Sequence, residues 1–159
     1  MAPTVVRSTV HSLKLPETDD EWRIYHEIRR TALFMERGVA ASDYNPNHPD
    51  DRKPGNAPFL LLHDDRPVGT VRIDLPDGRD HAIVRMVAVS SAERNQGHGA
   101  RMLALVEAFS REQGRRRLVL NAAPAAVNFY RKNGFMPQVW DEEQLKFSPI
   151  PVQMVKILG

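Results

Sequence analysis

The stretch RMVAVSSAERNQGHGA, from Arg85 to Ala100, decides the fold of this chain. It joins a run of apolar residues to a glycine-rich turn, and the turn leads into a segment with helical periodicity. The amino end of a helix has unpaired backbone N–H groups and the positive end of the helix dipole, and glycines let an anion approach closely. The stretch therefore predicts a pyrophosphate site or, alternatively, only a tight strand-to-helix turn. Its glycine spacing matches neither a Walker loop nor GxGxxG.

The elements that follow this stretch alternate between helix and strand. A strand is predicted over His81–Val89, and a helix with one apolar face over 97–113, ending at Gly114. A short buried strand is predicted at 118–120, and a helix at 124–132, where proline suits the first turn.

The amino-terminal half predicts a strand over 5–15, then a helix, a long loop and a hairpin. Thr18 and Glu21 have the spacing of a capping box, so a helix is predicted to begin there and to end at Gly38. The proline- and asparagine-rich loop extends to about residue 58, and loops of this length are often functional. The other predicted strands are 59–62, 68–75, 135–140 and 152–158. This order predicts an α/β (α+β) protein with a mixed sheet and helices on its faces.

Two motifs resemble the signatures of the GNAT acetyltransferase superfamily. The first is Arg94-x-x-Gly97-x-Gly99-Ala100, which follows the strand at 87–89. The second is AAVNFYRKNGF, at residues 125–135, which is similar to the family's A-x-x-F-Y-x-x-x-G-F segment. Both motifs stand in the family's order and on the expected elements.

The resemblance implies the fold and the organisation of the chain. A single domain over residues 1–159 is expected, with a mostly antiparallel sheet of about seven strands that is flanked by helices and splayed at its centre. Residues up to about 58 would form the acceptor side, and residues 81–135 the acetyl-CoA side.

The resemblance also implies which residues bind acetyl-CoA, the expected co-substrate. Its pyrophosphate would lie on the backbone amides of the glycine-rich loop, and its pantetheine arm would pair like a strand with the signature strand. The implied cofactor-binding residues are Val87, Ala88, Val89, Arg94, Asn95, Gln96, Gly97, His98, Gly99, Ala100, Asn121, Asn128 and Tyr130.

Two of these residues are also expected to act in catalysis. When a neutral amine attacks the thioester, an oxyanion forms, and a strand N–H near Val87 could donate to it. Tyr130 matches the family's usual general acid, which protonates the departing thiolate; the alternative is a packed aromatic on an amphipathic helix. The expected reaction is direct N-acetylation of a primary amine, on a small molecule or a peptide, in a ternary complex.

The general base departs from the family pattern. Several relatives carry a glutamate four residues before the position of Val87, and here that position is Ile83. His81 is one candidate base, because a histidine can relay a proton near neutral pH. An ordered water, Glu36 or Asp43 are the alternatives.

Charged residues of the first helix and the signature strand are predicted to bind the acceptor. Arg29 and Glu36 lie towards the end of that helix, and Arg85 lies on the strand. Residues two apart along a strand share a face, so Arg85 and Val87 would lie together unless a bulge intervenes. We hypothesise that the acceptor carries an acidic group bound by Arg85 or Arg29. A structural ion pair and a solvated helix face are the respective alternatives.

The composition argues against several other functions. The chain has 159 residues, a net charge of +2, no cysteine and 6 histidines, and no histidine pair has the HExxH spacing, so no metal is expected. The basic cluster 115–117 is interpreted as a solvated loop, and no nucleic-acid partner is expected. No apolar run approaches the length of a membrane span and no signal peptide is recognisable, so a cytoplasmic protein without a membrane partner is expected.

Three alternatives remain open at this point. The last predicted strand, 152–158, is apolar enough to pair across a homodimer, although such strands usually form core. A non-catalytic acyl-CoA sensor on the same fold, and a nucleic-acid-binding module that uses the basic cluster, compete with the enzyme.

Overall fold

The computed structural model describes residues 6–7, 10–34 and 40–159. The strands in this part of the chain are β1 (Val6–Arg7), β2 (His11–Lys14), β3 (Asn56–His63), β4 (Arg66–Asp74), β5 (His81–Val89), β6 (Arg117–Ala122), β7 (Met136–Pro137) and β8 (Val152–Ile157). The α-helices are α1 (Asp19–Leu33), α2 (His98–Glu112), α3 (Val127–Lys132) and α4 (Glu142–Phe147). The strands form one sheet in the order β1-β2-β3-β4-β5-β6-β8-β7. Among the described strands, the β5–β6 pair alone is parallel, so the predicted mixed, mostly antiparallel sheet with flanking helices is confirmed.

Helix α1 begins at the predicted capping box. Thr18 Oγ1 accepts from Glu21 N at 3.0 Å, and Glu21 Oε1 accepts from Thr18 N at 3.1 Å. These two bonds satisfy N–H groups that the helix itself leaves unpaired. The helix ends at Leu33, and the predicted end at Gly38 lies outside the described residues.

The two faces of the sheet bury separate apolar cores. The larger one lies under α2, where Met102 and Val106 are fully buried with Val71 and Leu118 from the sheet. The smaller one lies under α1 and includes Tyr25, Ile28, Leu60 and Ala88. Burying each large apolar side chain contributes about 1.5–3 kcal/mol, so packing on both faces stabilises the central strands. In the described residues, none of the helices combines the length and apolarity that a membrane span requires.

Two predictions at the ends of the chain are wrong in detail, and one helix was missed. The predicted strand 5–15 is two strands, β1 and β2, which pair antiparallel with each other after the chain reverses. The predicted strand 135–140 is only Met136–Pro137, because a proline has no N–H to donate to a ladder. Helix α4 was not predicted, and β8 enters the sheet between β6 and β7, a pairing between distant residues that no local pattern indicates.

Candidate active site

The glycine-rich turn forms an open helix end. Gly97 is the N-cap of α2 and has φ +82°, a left-handed conformation that favours glycine. The helical bonding starts with Arg101 N, which donates to Gly97 O at 3.2 Å. The amides of residues 98–100 therefore have no acceptor inside the helix. The loop 94–97 is exposed, so an anion can reach these amides from solvent.

Strands β5 and β6 separate beside this helix end. They pair only from His81 to Ile83 on β5, against 117–119 on β6. Beyond Ile83 the β5 edge that includes 87–89 is no longer paired with β6. Asn121, near the end of β6, has a buried Oδ1 with no hydrogen-bond partner among the residues that the structure describes. An unpaired strand edge and an unsatisfied amide oxygen can both form hydrogen bonds with the amide groups of a pantetheine arm. The slot between β5 and β6 therefore suits the predicted pantetheine arm, and the open end of α2 suits the predicted pyrophosphate.

A bulge in β5 directs two residues of the predicted site, Arg85 and Val87, to opposite faces of the sheet. The register passes from Arg72–Arg85 to Thr70–Ala88, so two residues of β5 oppose one of β4. Met86 lies in the bulge with φ +55°. As a result Val87 packs against the larger core, whereas Arg85 lines a pocket on the opposite face. The sequence predicted that Arg85 and Val87 would share a face unless a bulge intervened. The bulge is present, and the two residues lie on opposite faces.

The pocket on the α1 side has a volume of about 740 Å³. It is lined by α1, by the loop 43–56, and by β4 and β5, and it includes Arg29, Asp43, Ile83 and Arg85. Tyr44, another lining residue, is buried, and burial raises the pKa of its hydroxyl to about 12. This pocket lies where the acceptor side was predicted.

Arginine and aspartate side chains alternate along one wall of this pocket. Arg29 Nη1 donates to Asp51 Oδ1 at 2.7 Å. Arg72 Nε donates to Asp74 Oδ1 at 2.7 Å, and Arg85 Nε donates to Asp74 Oδ2 at 2.9 Å. Burial lowers the pKa of Arg72, but its hydrogen bond and charge pairing with Asp74 outweigh burial and leave the pKa raised. The side chains of Arg29 and Arg72 are 4% and 8% exposed, whereas that of Arg85 is 36% exposed and can meet a ligand.

The candidate bases lie in different places. The His81 ring lies 6.0 Å from the Trp140 ring, and burial, followed by the charge of Arg117, lowers its pKa. His81 is not among the described residues that line the pocket, whereas Asp43 is. Glu36 lies outside the described residues.

Tyr130 is a buried residue of the larger core. It is 8% exposed, and its ring contacts those of Phe129 and Phe135 with centroids 5.2 and 5.6 Å apart. These edge contacts hold the ring in one orientation. Asn128, on the same helix, is exposed. The acid role of Tyr130 stays a prediction.

The basic cluster 115–117 has a structural role that neither interpretation of the sequence included. Arg115 Nη1 donates to the carbonyl oxygens of Pro76, Arg79 and His81 at 2.6–3.1 Å. Arg117 pairs with Asp80 at 3.2 Å. These contacts stabilise the turn at residues 76–80, which precedes β5.

Two features of the site region were missed from the sequence. Asp51, which neutralises Arg29, is one acidic residue among several in a loop without periodicity. His11, His63 and His98 come together beside the glycine-rich turn, with one ring nitrogen of each within 4.8 Å of the others. Burial is the main cause of a lowered pKa of His11, and the neighbouring His63 and His98 add to it. Residues so far apart in the chain give no local signal.

Comparison with known families agrees with this geometry. The model of the acetyltransferase (GNAT) family matches residues 18–135, which is well over half of the chain and includes both signature motifs. The chain belongs to the GNAT family and is an acyltransferase.

Individual relatives are distant. The chain is similar to YjcF of Bacillus subtilis (strain 168), described as an uncharacterized N-acetyltransferase, with 28% identity over 131 residues, 81% of this chain and 87% of that protein. N-acetylglutamate synthase from Neisseria gonorrhoeae, solved with coenzyme A and N-acetyl-glutamate, matches with TM-score 0.75 and 18% identity over 96% of this chain and only 36% of its own. A GNAT-family acetyltransferase from Staphylococcus aureus Mu50 matches with TM-score 0.72 and 16% identity over 94% of this chain and 99% of its own. These structural matches show the fold.

Proposed function

We propose that this protein is an N-acetyltransferase that moves the acetyl group of acetyl-CoA directly to a primary amine of a small molecule or peptide in a ternary complex. The observation that supports this most is the separation of β5 from β6 after Ile83. This separation leaves residues 87–89 of β5, directly after the bulge, unpaired with β6, while the pocket lies on the other face of the sheet from Val87. A donor and an acceptor could therefore approach the bulge from opposite faces of the sheet.

The residues of the slot are assigned the following tasks. The amides of residues 98–100 bind the pyrophosphate, and Asn121 Oδ1 accepts from an amide of the pantetheine arm. Acetyl-CoA, when bound, supplies a thioester that an amine can attack. The Val87 N–H, in a bulge where the β4–β5 ladder is interrupted, donates to the developing oxyanion. The Tyr130 hydroxyl donates a proton to the leaving sulfur.

The exposure and pairing of the arginines in the pocket wall indicate which of them can bind the acceptor. Arg29 is nearly fully buried and bound to Asp51, so its first role is to hold the pocket wall. Arg85 is the most exposed of the three wall arginines, and we propose that it binds an acidic group of the acceptor. Arg85→Ala should raise the acceptor KM at least about tenfold, since a hydrogen bond to a charged group contributes about 1.5–3 kcal/mol. An unchanged KM for acidic amines would contradict this assignment.

The general base remains to be assigned among Asp43, Glu36 and an ordered water. Asp43 lines the pocket and is exposed, whereas Ile83 presents an apolar side chain at the position of the family's glutamate. His81 is disfavoured by its place beside Trp140. If an Asp43→Asn variant keeps the full kcat, Glu36 or an ordered water remains as the base.

Acetyl-CoA binding measured by calorimetry tests the proposal first. Gly97→Glu places a charged side chain at the left-handed N-cap of α2, and we expect it to abolish binding. Gly114→Glu is the matched control, because Gly114 has φ +77°, open space around it and a position after the opposite end of the same helix. If both variants fold and bind equally well, the loop is not the cofactor site.

A non-catalytic acyl-CoA sensor is the second candidate, favoured by the apolar Ile83 in place of a carboxylate. Tyr130→Phe separates the two functions. An enzyme should lose about 10²–10⁴-fold in kcat with acetyl-CoA affinity retained, because only proton transfer is removed. In a sensor, Tyr130→Phe would change nothing measurable, and the native protein would release no CoA with any amine in a broad screen.

The predicted homodimer and cytoplasmic location stay predictions. Strand β8 lies between β6 and β7, so β7 forms the edge of the sheet at this end. Met136 of β7 and Ile157 of β8 are each 65% exposed, and we propose this edge as the dimer contact. Sedimentation of the native chain beside a Met136→Lys variant tests it, and a native monomer at all concentrations contradicts it.

A further inference from the structure

Three histidines from separate parts of the chain meet beside the amino end of α2. His11 is the first residue of β2, His63 is the last residue of β3, and His98 is the first residue of α2. His11 and His63 face each other across the β2–β3 ladder, and their rings stack with centroids 4.5 Å apart. His11 Nε2 lies 2.9 Å from His98 Nδ1.

Two of the three histidines are buried and the third is half-buried. His11 is 5% and His98 is 3% exposed, and His63 is half-buried. The short contact between His11 and His98 allows one hydrogen bond to be shared between two rings. His63 Nδ1 is buried and forms no hydrogen bond within the part of the chain that the structure describes. A buried polar atom without a partner costs free energy, and a bound cation would remove that cost.

The spacing of the nitrogens suits a transition-metal ion. One nitrogen from each ring lies within 4.8 Å of those of the other two, and His11 Nε2 and His98 Nδ1 are 2.9 Å apart. In a tetrahedral zinc site with Zn–N distances near 2.0–2.1 Å, neighbouring nitrogens are about 3.3–3.5 Å apart. The 2.9 Å separation is shorter than that value and the 4.8 Å limit is longer, so rotations of the rings could bring the three nitrogens to the spacing of such a site.

Two carboxylates lie near the Nε2 atoms of His98 and His63. His98 Nε2 lies 3.6 Å from Glu93 Oε1, and His63 Nε2 lies 3.8 Å from Asp64 Oδ2. Glu93 is itself held by an ion pair with Arg66. Metal-binding histidines usually donate their other ring N–H to a carboxylate, which fixes the tautomer. These two contacts are longer than hydrogen bonds, but with Nε2 facing a carboxylate, Nδ1 of His63 and of His98 is the nitrogen left for an ion.

We propose that His11, His63 and His98 bind one divalent transition-metal ion of the zinc or cobalt class. The ion joins the facing ends of β2 and β3 to the first turn of α2, and Glu93 and Asp64 orient two of its ligands. Nitrogen ligands favour such metals over Mg²⁺ or Ca²⁺, which prefer oxygen. The competing explanation is a metal-free cluster of stacked, hydrogen-bonded rings.

The site has a consequence for the glycine-rich turn. His98 lies between Gly97 and Gly99, so an ion on its ring restrains the backbone amides that are assigned to the pyrophosphate. Metal and cofactor affinities would then be coupled, and by the same factor in both directions. This consequence rests on the proposed function, whereas metal binding itself does not, so the two can fail separately.

The test uses the full chain without an affinity tag, freed of metal by a chelator. Zn²⁺ is titrated by calorimetry, thermal unfolding is recorded with and without Zn²⁺, and Co²⁺ is added to detect the visible absorption of a low-coordinate nitrogen site. His63→Gln removes a ligand without emptying its space and lies outside the proposed cofactor site. His48→Gln is the matched control, because the side chain of His48 is 53% exposed and remote in sequence from the cluster.

We expect one Zn²⁺ per chain, a higher unfolding temperature with Zn²⁺, and a strong visible Co²⁺ spectrum. His63→Gln should weaken Zn²⁺ binding by about 100-fold or more, since loss of even an outer partner typically costs 10–100-fold, and His48→Gln should leave the Zn²⁺ affinity unchanged. Absence of binding by the native chain overturns the proposal. A loss below about tenfold in His63→Gln also overturns it, and if this variant does not fold, the Co²⁺ spectrum of the native chain decides.

Discussion

The buried ion pair between Arg29 and Asp51 should matter more for folding than any other single contact of α1. We consider Arg29→Met, which keeps an unbranched side chain of similar reach and removes the charge. Arg29 Nη1 bonds both Asp51 Oδ1 and Tyr25 Oη at 2.7 Å, and the Arg29 and Asp51 side chains are 4% and 3% exposed. The substitution therefore leaves Asp51 charged, buried and without its strongest partner.

The expected loss follows from that uncompensated charge. Removing one partner of a buried ion pair costs about 3–5 kcal/mol. Arg72 Nη1 lies 3.7 Å from Asp51 Oδ1 and stays in place, so we expect about 3 kcal/mol, the lower end. At about 2–4 °C per kcal/mol for a domain of this size, the unfolding temperature should fall by about 6–12 °C.

Urea unfolding at pH 7 measures this free energy by linear extrapolation. Arg23→Met is the matched control, because Arg23 pairs with Asp20 on the same helix but both side chains are about 70% exposed; a surface pair contributes about 0.2–0.5 kcal/mol. Adding Asp51→Asn to Arg29→Met should recover part of the loss, since a neutral amide leaves no buried charge. If Arg29→Met costs no more than Arg23→Met, the pair does not stabilise the fold and the reasoning is refuted.

Two further predictions concern the ends of the helices. Hydrogen bonding by Lys14 is the largest cause that lowers the pKa of Glu21 to about 2, against an ordinary value of 4.5. A depressed carboxyl pKa adds stability that is complete above about pH 4.5 and is lost as the pH falls towards 2, so Glu21→Ala should cost about 1 kcal/mol at pH 7 and almost nothing near pH 2 in urea unfolding. A cost independent of pH would contradict this. A Cβ on Gly99 would lie 2.9 Å from Phe129 Cζ, so Gly99→Val should destabilise by about 1–3 kcal/mol, and Phe129→Leu should relieve part of that loss in a double-mutant cycle.

Local signals in the sequence were sufficient for the elements that position the cofactor side. The alternation and length of β5 predicted its bounds, His81–Val89, without error. Gly97 and Gly114 delimit α2 because left-handed backbone outside a helix favours glycine, and the structure places both at φ near +80°. The capping box at Thr18 predicted the start of α1 because its two hydrogen bonds join residues three apart. Such features depend on neighbouring residues only.

The sequence by itself therefore determined the family and the strand-turn-helix around Gly97, because its motifs are contiguous in the chain and the elements that carry them depend on short-range hydrogen bonding and periodicity. Only the tertiary structure decided that a bulge at Met86 directs Arg85 and Val87 to opposite faces. It also decided that Asp51 neutralises Arg29, and that His11 and His98, 87 residues apart, share a hydrogen bond. These contacts join residues that are distant in the chain. They form only when whole helices and strands pack together, so no local pattern in the sequence predicts them.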